Sequence, residues 1–528
     1  MRFFNTEGPV NCTRHYCLPP LQRFDLNDVL QLIEQQKYFL LHAPRQTGKT
    51  SCLLALAAYL NQEGRYRAVY ANIEVAQAYR ENVDKGMATV VEQISRSARD
   101  QIGDAGATTL AREVLATSTG GTSVEEFLTR WCEKAPLPTV LLLDEVDALV
   151  GDTLIALLRQ LRAGYPKRPD LFPQTVILCG VRDLQDYRIQ SSNEKTAITG
   201  GSAFNIKAKS LRLGDFSREE TGALLWEHTQ ETGQVFTREA LDAVWELTAG
   251  QPWLVNALAY TACFDSKAGR DRSQPITEEQ ILAAKEQLIV DRVTHIDQLA
   301  DKLKEPRVRR TLEAILGGDQ QADTIPTDDI TYVRDLGLIK TEGQLAIANR
   351  IYQEVIPREL TFSAQLTIAQ QPAWYIDANG RLDLPKLLTA FQQFFRENSE
   401  IWLERFDYKE AGPQLLMQAF LQRIINGGGR VEREYGLGRG RTDLLVIWPV
   451  GGGQPPVQRA VIELKVLRRS LAATLAEGLA QTWEYADRGG ADEAHLVVFD
   501  RRPDRDWDER IWVQSAQHND QTITVWGM

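Results

Sequence analysis

The stretch YFLLHAPRQTGKTSCLLALAAYL, residues 38–60, decides the fold of the first part of the chain. An apolar run typical of a strand leads into a loop, and the loop opens a helix. The loop fits the pattern G-x-x-x-x-G-K-[ST], with Ala43 at the first glycine position, which is tolerable if that backbone needs no positive φ. Backbone amides of such a loop and helix N-terminus cradle phosphates. The predicted nucleotide-binding residues are Pro44, Arg45, Gln46, Thr47, Gly48, Lys49, Thr50 and Ser51.

A second apolar run, TVLLLDEVD at residues 139–147, supplies the acids that a phosphate site needs. We expect Asp144 to hold Mg²⁺ together with the Thr50 hydroxyl, while Lys49 reaches the β and γ phosphate oxygens. Glu145 is predicted to polarise the attacking water. The alternative is a buried strand that ends in solvated acids. A phosphate loop upstream in the correct order favours the catalytic interpretation, with ATP and one Mg²⁺ as cofactors.

Length and charge limit the class of protein. A chain of 528 residues is too long for one hydrophobic core, so about three or four domains are expected. The formal net charge of −11 gives no bulk attraction for nucleic acid or anionic membranes, so any DNA contact requires a local basic patch. No run approaches the roughly 18 apolar residues of a spanning helix, and no signal peptide is evident. We therefore predict a cytoplasmic protein without membrane contact.

The cysteines indicate a reducing compartment. Three of them fall in apolar stretches where a thiol packs as a small hydrophobe: Cys52, Cys132 and Cys179. We expect no disulfides. Cys12, His15 and Cys17 resemble metal ligands, but no second ligand pair follows at zinc-site spacing, so no metal is predicted there.

The apolar runs of the first part are separated by helical patterns, which indicates a parallel sheet covered by helices on both faces. The four runs are residues 38–43, 67–73, 139–144 and 175–180. A wholly helical pattern follows to about Lys302, as expected of a lid. A helix that ends at Gly337 and a hairpin that turns at Gly343 suit a winged helix. We favour a packing module over a DNA reader, because acids lie on the would-be recognition segment: Asp328, Asp329 and Asp335.

We therefore predict an α/β multidomain protein with a P-loop ATPase core, a helical lid, a winged helix, a linker and a further α/β domain at the C-terminal end. The predicted bounds, in that order, are 1–210, 211–302, 303–360, 361–383 and 384–528.

The first part resembles the AAA-like ATPases of the archaeal-ATPase and STAND type, over roughly residues 1–359. The phosphate loop, the D-E pair, the turn at residues 250–252 and IANRIYQEVI carry the resemblance. It implies that Pro252 touches the adenine, although a helix start explains this proline equally well. Tyr16 and Pro19 resemble residues that lie over the base. Arg182 follows the apolar run TVILCGV as a sensor would, or it is a surface arginine paired with a nearby aspartate.

A second group of charged residues lies near the C-terminus. Asp443 opens the apolar run DLLVIW, a Gly/Pro turn follows, and the return run AVIELKV puts Glu463 and Lys465 on one face. A hairpin of this form brings Asp443 beside Glu463. Two carboxylates and a lysine are costly to bury unless something uses the charge, and a divalent cation does so. We predict Mg²⁺ on Asp443 and Glu463, one or two ions in all, with Lys465 orienting the attacking water.

Gln481 and Tyr485 lie four residues apart on a predicted helix, so they share a face that can meet the strand carrying Lys465. With these residues the domain resembles the PD-(D/E)XK nuclease superfamily, in the branch with a Gln-x-x-x-Tyr helix. The usual glutamate of the preceding helix is absent. The residues that stand near its place are Gln414, Gln418, Gln422, Glu432 and Glu434, and the local positive charge is Arg439, Arg441, Arg468 and Arg469, which is equally well a solvated basic rim.

The leading functional hypothesis is an ATP-gated nuclease that cleaves nucleic acid phosphodiesters, with DNA favoured over RNA as partner. The rival hypothesis is a scaffold whose ATPase is a slow switch and whose C-terminal domain binds DNA or a partner without cutting. A homo-oligomer is left open.

Overall fold

A computed structural model of the chain gives the fold. The chain divides into two compact units. The first unit comprises residues 1–291 and 331–339, and the second comprises residues 292–330 and 340–528. The structure describes residues 1–181, 188–190, 197–199, 207–291, 294–316, 325–341, 345–360, 374–403, 412–425, 429–437, 440–450, 457–467, 470–500, 502 and 505–528. None of the helices in those ranges is long and apolar enough to cross a membrane.

The first unit is built on a five-stranded sheet with the order β2-β3-β4-β1-β7, in which every neighbouring pair is parallel. Neighbours in space are not neighbours in sequence, because parallel strands need crossover connections. The four predicted apolar runs form four of these strands, and the predicted α/β parallel fold is confirmed. The strands are β1 Tyr38–His42, β2 Arg67–Asn72, β3 Thr139–Asp144, β4 Thr175–Gly180 and β7 Lys207–Arg212. Between β4 and β7, β5 Arg188–Gln190 pairs antiparallel with β6 Ala197–Thr199.

Helices cover both faces of the sheet, and the strand residues alternate between two cores. Tyr38 and Leu40 pack with helices α3 to α6, whereas Phe39 and Leu41 pack with α1 and α2. Because both faces are buried, the strands are apolar throughout rather than alternating. These helices are α1 Leu26–Glu34, α2 Lys49–Glu63, α3 Val83–Ile102, α4 Ala105–Thr117, α5 Ser123–Glu133 and α6 Asp152–Gly164.

The expected helical segment follows β7. Ser217 and Glu220 form a capping box at the start of its first helix. The side chain of each accepts a hydrogen bond from the backbone N–H of the other. Pro252 begins the third helix. Its missing N–H costs no helical hydrogen bond, because the N–H at the first position of a helix has no partner within the helix. The helices are α7 Arg218–Thr232, α8 Arg238–Thr248, α9 Pro252–Tyr260 and α10 Glu278–Val290.

Residues 2–20, called here the N-terminal segment, contact this helical part. Arg2 forms ion pairs with Glu227 and Glu231 of α7, at 2.7 and 2.9 Å. Within the segment, Cys12 and Cys17 are joined as a disulfide, so the expectation of none was wrong. The chain turns back at residues 11–15 and brings the two Cα atoms within 5.2 Å, a separation that a disulfide spans.

The chain between residues 294 and 360 is helix, helix, helix, strand, strand, helix. Helix α13 ends two residues before Gly337, which has a φ of 78° and closes the helix as predicted. The predicted turn at Gly343 lies outside the described residues. The elements are α11 Thr294–Lys302, α12 Pro306–Leu316, α13 Thr327–Asp335, β8 Ile339–Lys340, β9 Ala346–Ile347 and α14 Arg350–Leu360.

The C-terminal part of the second unit contains a six-stranded mixed sheet with the order β10-β11-β12-β13-β15-β14. Its main core begins before Leu384, since Tyr375 and Leu382 are buried in it. The strands are β10 Arg430–Leu437, β11 Gly440–Pro449, β12 Val457–Val466, β13 Glu493–Phe499, β14 Trp512–His518 and β15 Gln521–Gly527. The helices are α15 Leu384–Leu403, α16 Gly412–Ile425, α17 Leu471–Gly489 and α18 Trp507–Arg510.

Candidate functional site

The predicted phosphate loop lies between β1 and the N-terminus of α2. Gly48 precedes the helix with a φ of 93°, a conformation that glycine adopts without steric cost. Ala43 is absent from the positive-φ residues of the described chain, so its side chain is compatible with the first position of the loop. The first amides of α2 have no partner within the helix, which is what makes a helix N-terminus suited to bind an anion.

Lys49 is held against the loop itself. Its Nζ donates hydrogen bonds to the carbonyl oxygens of Ala43 and Pro44, each at 2.9 Å. The Thr47 hydroxyl donates to the same Pro44 oxygen at 2.8 Å. Only 6% of Lys49 is exposed, so its ammonium group is held at the loop.

The two predicted Mg²⁺ ligands of the loop site are in direct contact. The Thr50 hydroxyl donates to Oδ2 of Asp144 at 2.7 Å, and the Tyr70 hydroxyl donates to the same oxygen at 2.9 Å. Asp144 is fully buried at the end of β3. Hydroxyl and carboxylate oxygens are the hard ligands that Mg²⁺ prefers, so this donor set fits that ion.

Glu145 follows in the left-handed region, with a φ of 58°. Its backbone N–H donates to Oδ1 of Asp144 at 2.9 Å, which couples the two acids. Burial raises the pKa of Glu145, and repulsion from Asp144 adds to the rise while Lys49 opposes it. A carboxyl with a raised pKa close to the phosphate loop is suited to accept a proton from water.

A cavity adjoins the loop. Tyr16 and Pro252, predicted from separate parts of the sequence, both line it. The loop contributes four further predicted residues to the same lining: Gln46, Thr47, Gly48 and Ser51.

Other predicted residues are placed differently. Among the described residues, Pro20 lines the cavity where Pro19 was expected. Pro252 both lines the cavity and starts α9, so the two interpretations of this proline remain compatible with its position. Arg45 is exposed, and Pro44 is buried. Arg182 lies outside the described residues.

Several cavity and site residues were not predicted. Arg23 lines the cavity, donates to the Gly214 oxygen at 2.6 Å and lies 4.4 Å from the centre of the Phe216 ring. Burial lowers its pKa. Arg23 is the last residue of RHYCLPPLQR, the segment from which Tyr16 was predicted, so that segment could also have indicated Arg23. No sequence pattern indicates Tyr70, because its contact with Asp144 joins two strands distant in sequence.

The parallel sheet, the phosphate loop at the end of β1 and the buried acid at the end of β3 define a P-loop ATPase, which confirms that prediction. This class uses a nucleotide and Mg²⁺. The chain belongs to the AAA-like domain family, whose model matches residues 22–356.

Solved structures give distant matches. The Holliday junction branch migration motor RuvB of Thermotoga maritima is 12% identical, with a TM-score of 0.32 over 63% of this chain and 95% of that one. Cdc6p of Pyrobaculum aerophilum is 15% identical, with a TM-score of 0.35 over 64% and 93%. Domain III of the Thermotoga maritima replication initiation protein DnaA is 14% identical, with a TM-score of 0.31 over 54% and 94%. A comparison with curated proteins finds no significant match.

The predicted nuclease residues lie on β11, β12 and α17. Lys465 Nζ donates to Oε1 of Glu463 at 2.9 Å, and Glu463 is 3% exposed. Strands β11 and β12 pair antiparallel with Leu444 opposite Ile462, so the next position puts the backbone of Asp443 level with Glu463. The side chain of Asp443 is outside the described residues.

Helix α17 packs on the face of β12 that carries Glu463. Tyr485 is buried against Leu445 and Val461, and Val461 shares a face with Glu463 because strand side chains alternate. Gln481 lies one turn earlier on the helix, towards the level of Glu463. Within the described part of the chain, its Oε1 atom is buried without a hydrogen-bond partner.

Other residues of the nuclease prediction are only partly placed. Gln418 is buried in α16, and its Oε1 has no hydrogen-bond partner among the described residues. The described side chains contain no group of three or more His, Cys, Asp or Glu arranged to hold a metal. The side chains outside the description are those of Gln414, Gln422, Glu432, Glu434, Arg439, Arg441, Arg468 and Arg469.

Proposed function

We propose that the first unit hydrolyses ATP at the site formed by Lys49, Thr50, Asp144 and Glu145. The observation that carries this proposal is the 2.7 Å contact between Thr50 and Asp144. It joins the two predicted Mg²⁺ ligands directly beneath the phosphate loop. The cavity lined by Tyr16 then accommodates the base and ribose.

The residues divide the chemistry among themselves. Loop amides and Lys49 bind the phosphates, and Lys49 exchanges its carbonyl partners for phosphate oxygens. Thr50 and Asp144 would hold Mg²⁺, which would neutralise negative charge on the bound phosphates. Glu145 accepts a proton from the attacking water and orients it.

Two substitutions test this site. Lys49→Ala is expected to abolish ATP binding, while Glu145→Gln is expected to keep binding and slow turnover by orders of magnitude. Equilibrium titration with a fluorescent ATP analogue and a phosphate-release assay measure the two effects. Unchanged ATP affinity in Lys49→Ala would sink the assignment.

We further propose that the second unit contains a metal-dependent nuclease, which ATP turnover in the first unit controls. The support is the pair of buried Glu463 and half-buried Lys465, on the sheet face against which the helix of Gln481 and Tyr485 packs. One or two Mg²⁺ ions on Asp443 and Glu463 would polarise a phosphodiester, and Lys465 would orient the water. DNA is the favoured substrate over RNA, and a homo-oligomer is compatible with the proposal.

The assay for this second proposal is nicking of a supercoiled plasmid by the full chain. Mg²⁺ and Mn²⁺ are compared, each with ATP, with ADP and without nucleotide. We expect cleavage that requires the divalent ion and changes with the nucleotide. A single-stranded substrate is run in parallel, because the proposal does not specify whether single-stranded or double-stranded nucleic acid is cut.

The rival is a scaffold that binds DNA or another partner without cutting. The observation in its favour is that Glu463 already forms an ion pair with Lys465. The ammonium of Lys465 thus compensates the charge of Glu463 without a metal. DNA binding without cleavage under every nucleotide and metal condition would establish the scaffold and exclude the nuclease.

A further inference from the structure

The turn after β3 is fastened to the end of β4 by one carboxylate. Asp147 Oδ2 accepts a hydrogen bond from the backbone N–H of Val181 at 2.5 Å. A Cβ added to Gly180 would lie 1.9 Å from Asp147 Oδ1, a distance that no two such atoms tolerate. Glycine at this position is therefore what leaves room for the carboxylate.

The same end of β4 also contacts the phosphate loop. The Gly180 carbonyl accepts a hydrogen bond from the N–H of Ala43 at 3.2 Å, and His42 pairs with Gly180 across the strands. The Gly180–Val181 peptide thus lies between the start of the phosphate loop and Asp147. Through it, the loop that binds phosphate and the turn that carries Glu145 share one support.

Glu145 needs such a support. Its left-handed backbone, with a φ of 58°, is unfavourable for a residue with a side chain and persists only where surrounding contacts impose it. The single 3₁₀ turn that follows, Val146–Ala148, contains Asp147 and begins with a hydrogen bond from Ala148 N to Glu145 O. A tether at Asp147 therefore limits where Glu145 can lie.

We propose that Asp147 is a positioning residue for ATP hydrolysis, which holds the turn bearing Glu145 at a fixed place relative to the phosphate loop. The proposal rests on the role of Glu145 given above. Asp147 acts through the peptide at residues 180–181, to which its carboxylate is hydrogen-bonded. Its loss should lower the rate of the chemical step and leave nucleotide binding nearly intact.

Paired variants of Asp147 test the tether. Asp147→Ala should lower kcat by about 100-fold, the scale of effect that a misplaced catalytic group produces, with KM within about threefold of wild type. Asp147→Asn should recover most of the lost rate, because its side-chain oxygen can accept the same hydrogen bond. Asp170→Ala, at an exposed acid of the same unit, is the matched control for loss of charge.

A double-mutant cycle with Gly180 separates this role from general destabilisation. Gly180→Ala should lower kcat as Asp147→Ala does, since the added methyl displaces the carboxylate. In the Asp147→Ala background the methyl meets no carboxylate, so the double variant should be no slower than Asp147→Ala alone. Losses that multiply would show two independent defects and overturn the proposal.

The remaining outcomes are also decisive. The positioning role would be overturned if Asp147→Ala kept the wild-type kcat, or if its kcat, ATP affinity and melting temperature all fell together. The proposed function would stand in either case. If Glu145→Gln instead turns over as wild type, the role of Glu145 fails, and the positioning proposal fails with it.

Discussion

At the scale of single residues, Asp144 is the point where the ATP site is most constrained. Its Oδ2 accepts hydrogen bonds from both Thr50 and Tyr70, so two hydroxyls orient one carboxylate oxygen. Burial raises the pKa of Tyr70. The phenol therefore stays a proton donor to Asp144 over the physiological range.

Tyr70→Phe should raise the Mg²⁺ concentration needed for half-maximal hydrolysis, because one donor that fixes Asp144 is lost. The free energy of unfolding should fall by about 1 kcal/mol, the usual net value of one hydrogen bond. Mg²⁺ titrations of the ATPase rate and urea unfolding measure the two effects. Tyr59→Phe, on the half-buried part of α2, provides the control. An unchanged Mg²⁺ requirement would contradict the orienting role.

Pro252→Ala distinguishes the two interpretations of this proline. If Pro252 contacts the adenine, the substitution weakens ATP binding with little change in melting temperature. If it serves only as a helix start, melting falls and ATP affinity stays as it was. Because Pro252 lines the cavity, we expect the first result. Binding and melting curves recorded on the same preparations decide the question.

The sequence predicted those site residues that belong to a local motif. The phosphate loop and the acids after β3 follow from spacing and from the strands that precede them. Tyr70 and Arg23 could not be predicted in this way, since their contacts join distant segments and follow no local pattern. Asp147 stood in the quoted run at residues 139–147, but only its contact with Val181 gives it a role.

At the scale of elements, buried polar contacts link helices of the second unit. His295 at the start of α11 hydrogen-bonds and stacks with Tyr352 of α14, and it is 8% exposed. Burial lowers the pKa of His295 to about 4 from its usual 6.5. The folded form therefore resists protonation that the unfolded chain accepts.

Neutral, buried His295 contributes fully to the stability of the folded second unit above pH 6.5. This contribution is lost as the pH falls from 6.5 towards about 4. His295→Gln should make the second unit less sensitive to acid in this window, although less stable at neutral pH. Urea midpoints at pH 7.0 and 5.5 test this, with His518→Gln as control. Equal acid sensitivity in wild type and His295→Gln would show that His295 does not titrate on unfolding.

Elements were predicted well where both faces of a strand are buried. Continuous apolar runs leave little doubt about the strands of the first sheet, and β3 and β4 match the predicted runs at both ends. The disulfide of the N-terminal segment was missed, because composition indicates a compartment and not the geometry of a turn. The burial of Tyr375 in the core of the C-terminal sheet was missed for a similar reason, since Tyr375 precedes the first helix of that domain.

At the scale of the whole molecule, the two candidate sites belong to different compact units, each with its own hydrophobic core. Substitutions at the nuclease residues of the second unit should therefore leave ATP hydrolysis in the first unit intact. This separation allows the proposed nuclease activity to be removed alone.

Asp443→Ala and Glu463→Ala should each abolish divalent-dependent cleavage and leave the ATPase rate within about twofold. Lys465→Ala should retain metal binding yet lose cutting, because its proposed task concerns the water or the phosphate. Gln481→Ala and Tyr485→Phe should have smaller effects. Glu484→Gln, on α17 and paired with Arg488, is the matched control. Cleavage that survives in Glu463→Ala would show that the nuclease site does not include Glu463.

The N-terminal segment has a kinetic consequence for nucleotide exchange. It lines the cavity and is fastened to the helical part by Arg2 to α7, by Asn5 N to Asn256, and by the Trp253 indole to the Thr6 oxygen. If a nucleotide leaves the cavity past this segment, ADP residence time should depend on opening of the segment as well as on phosphate affinity. Arg2→Ala, at a residue that does not line the cavity, would then speed ADP release.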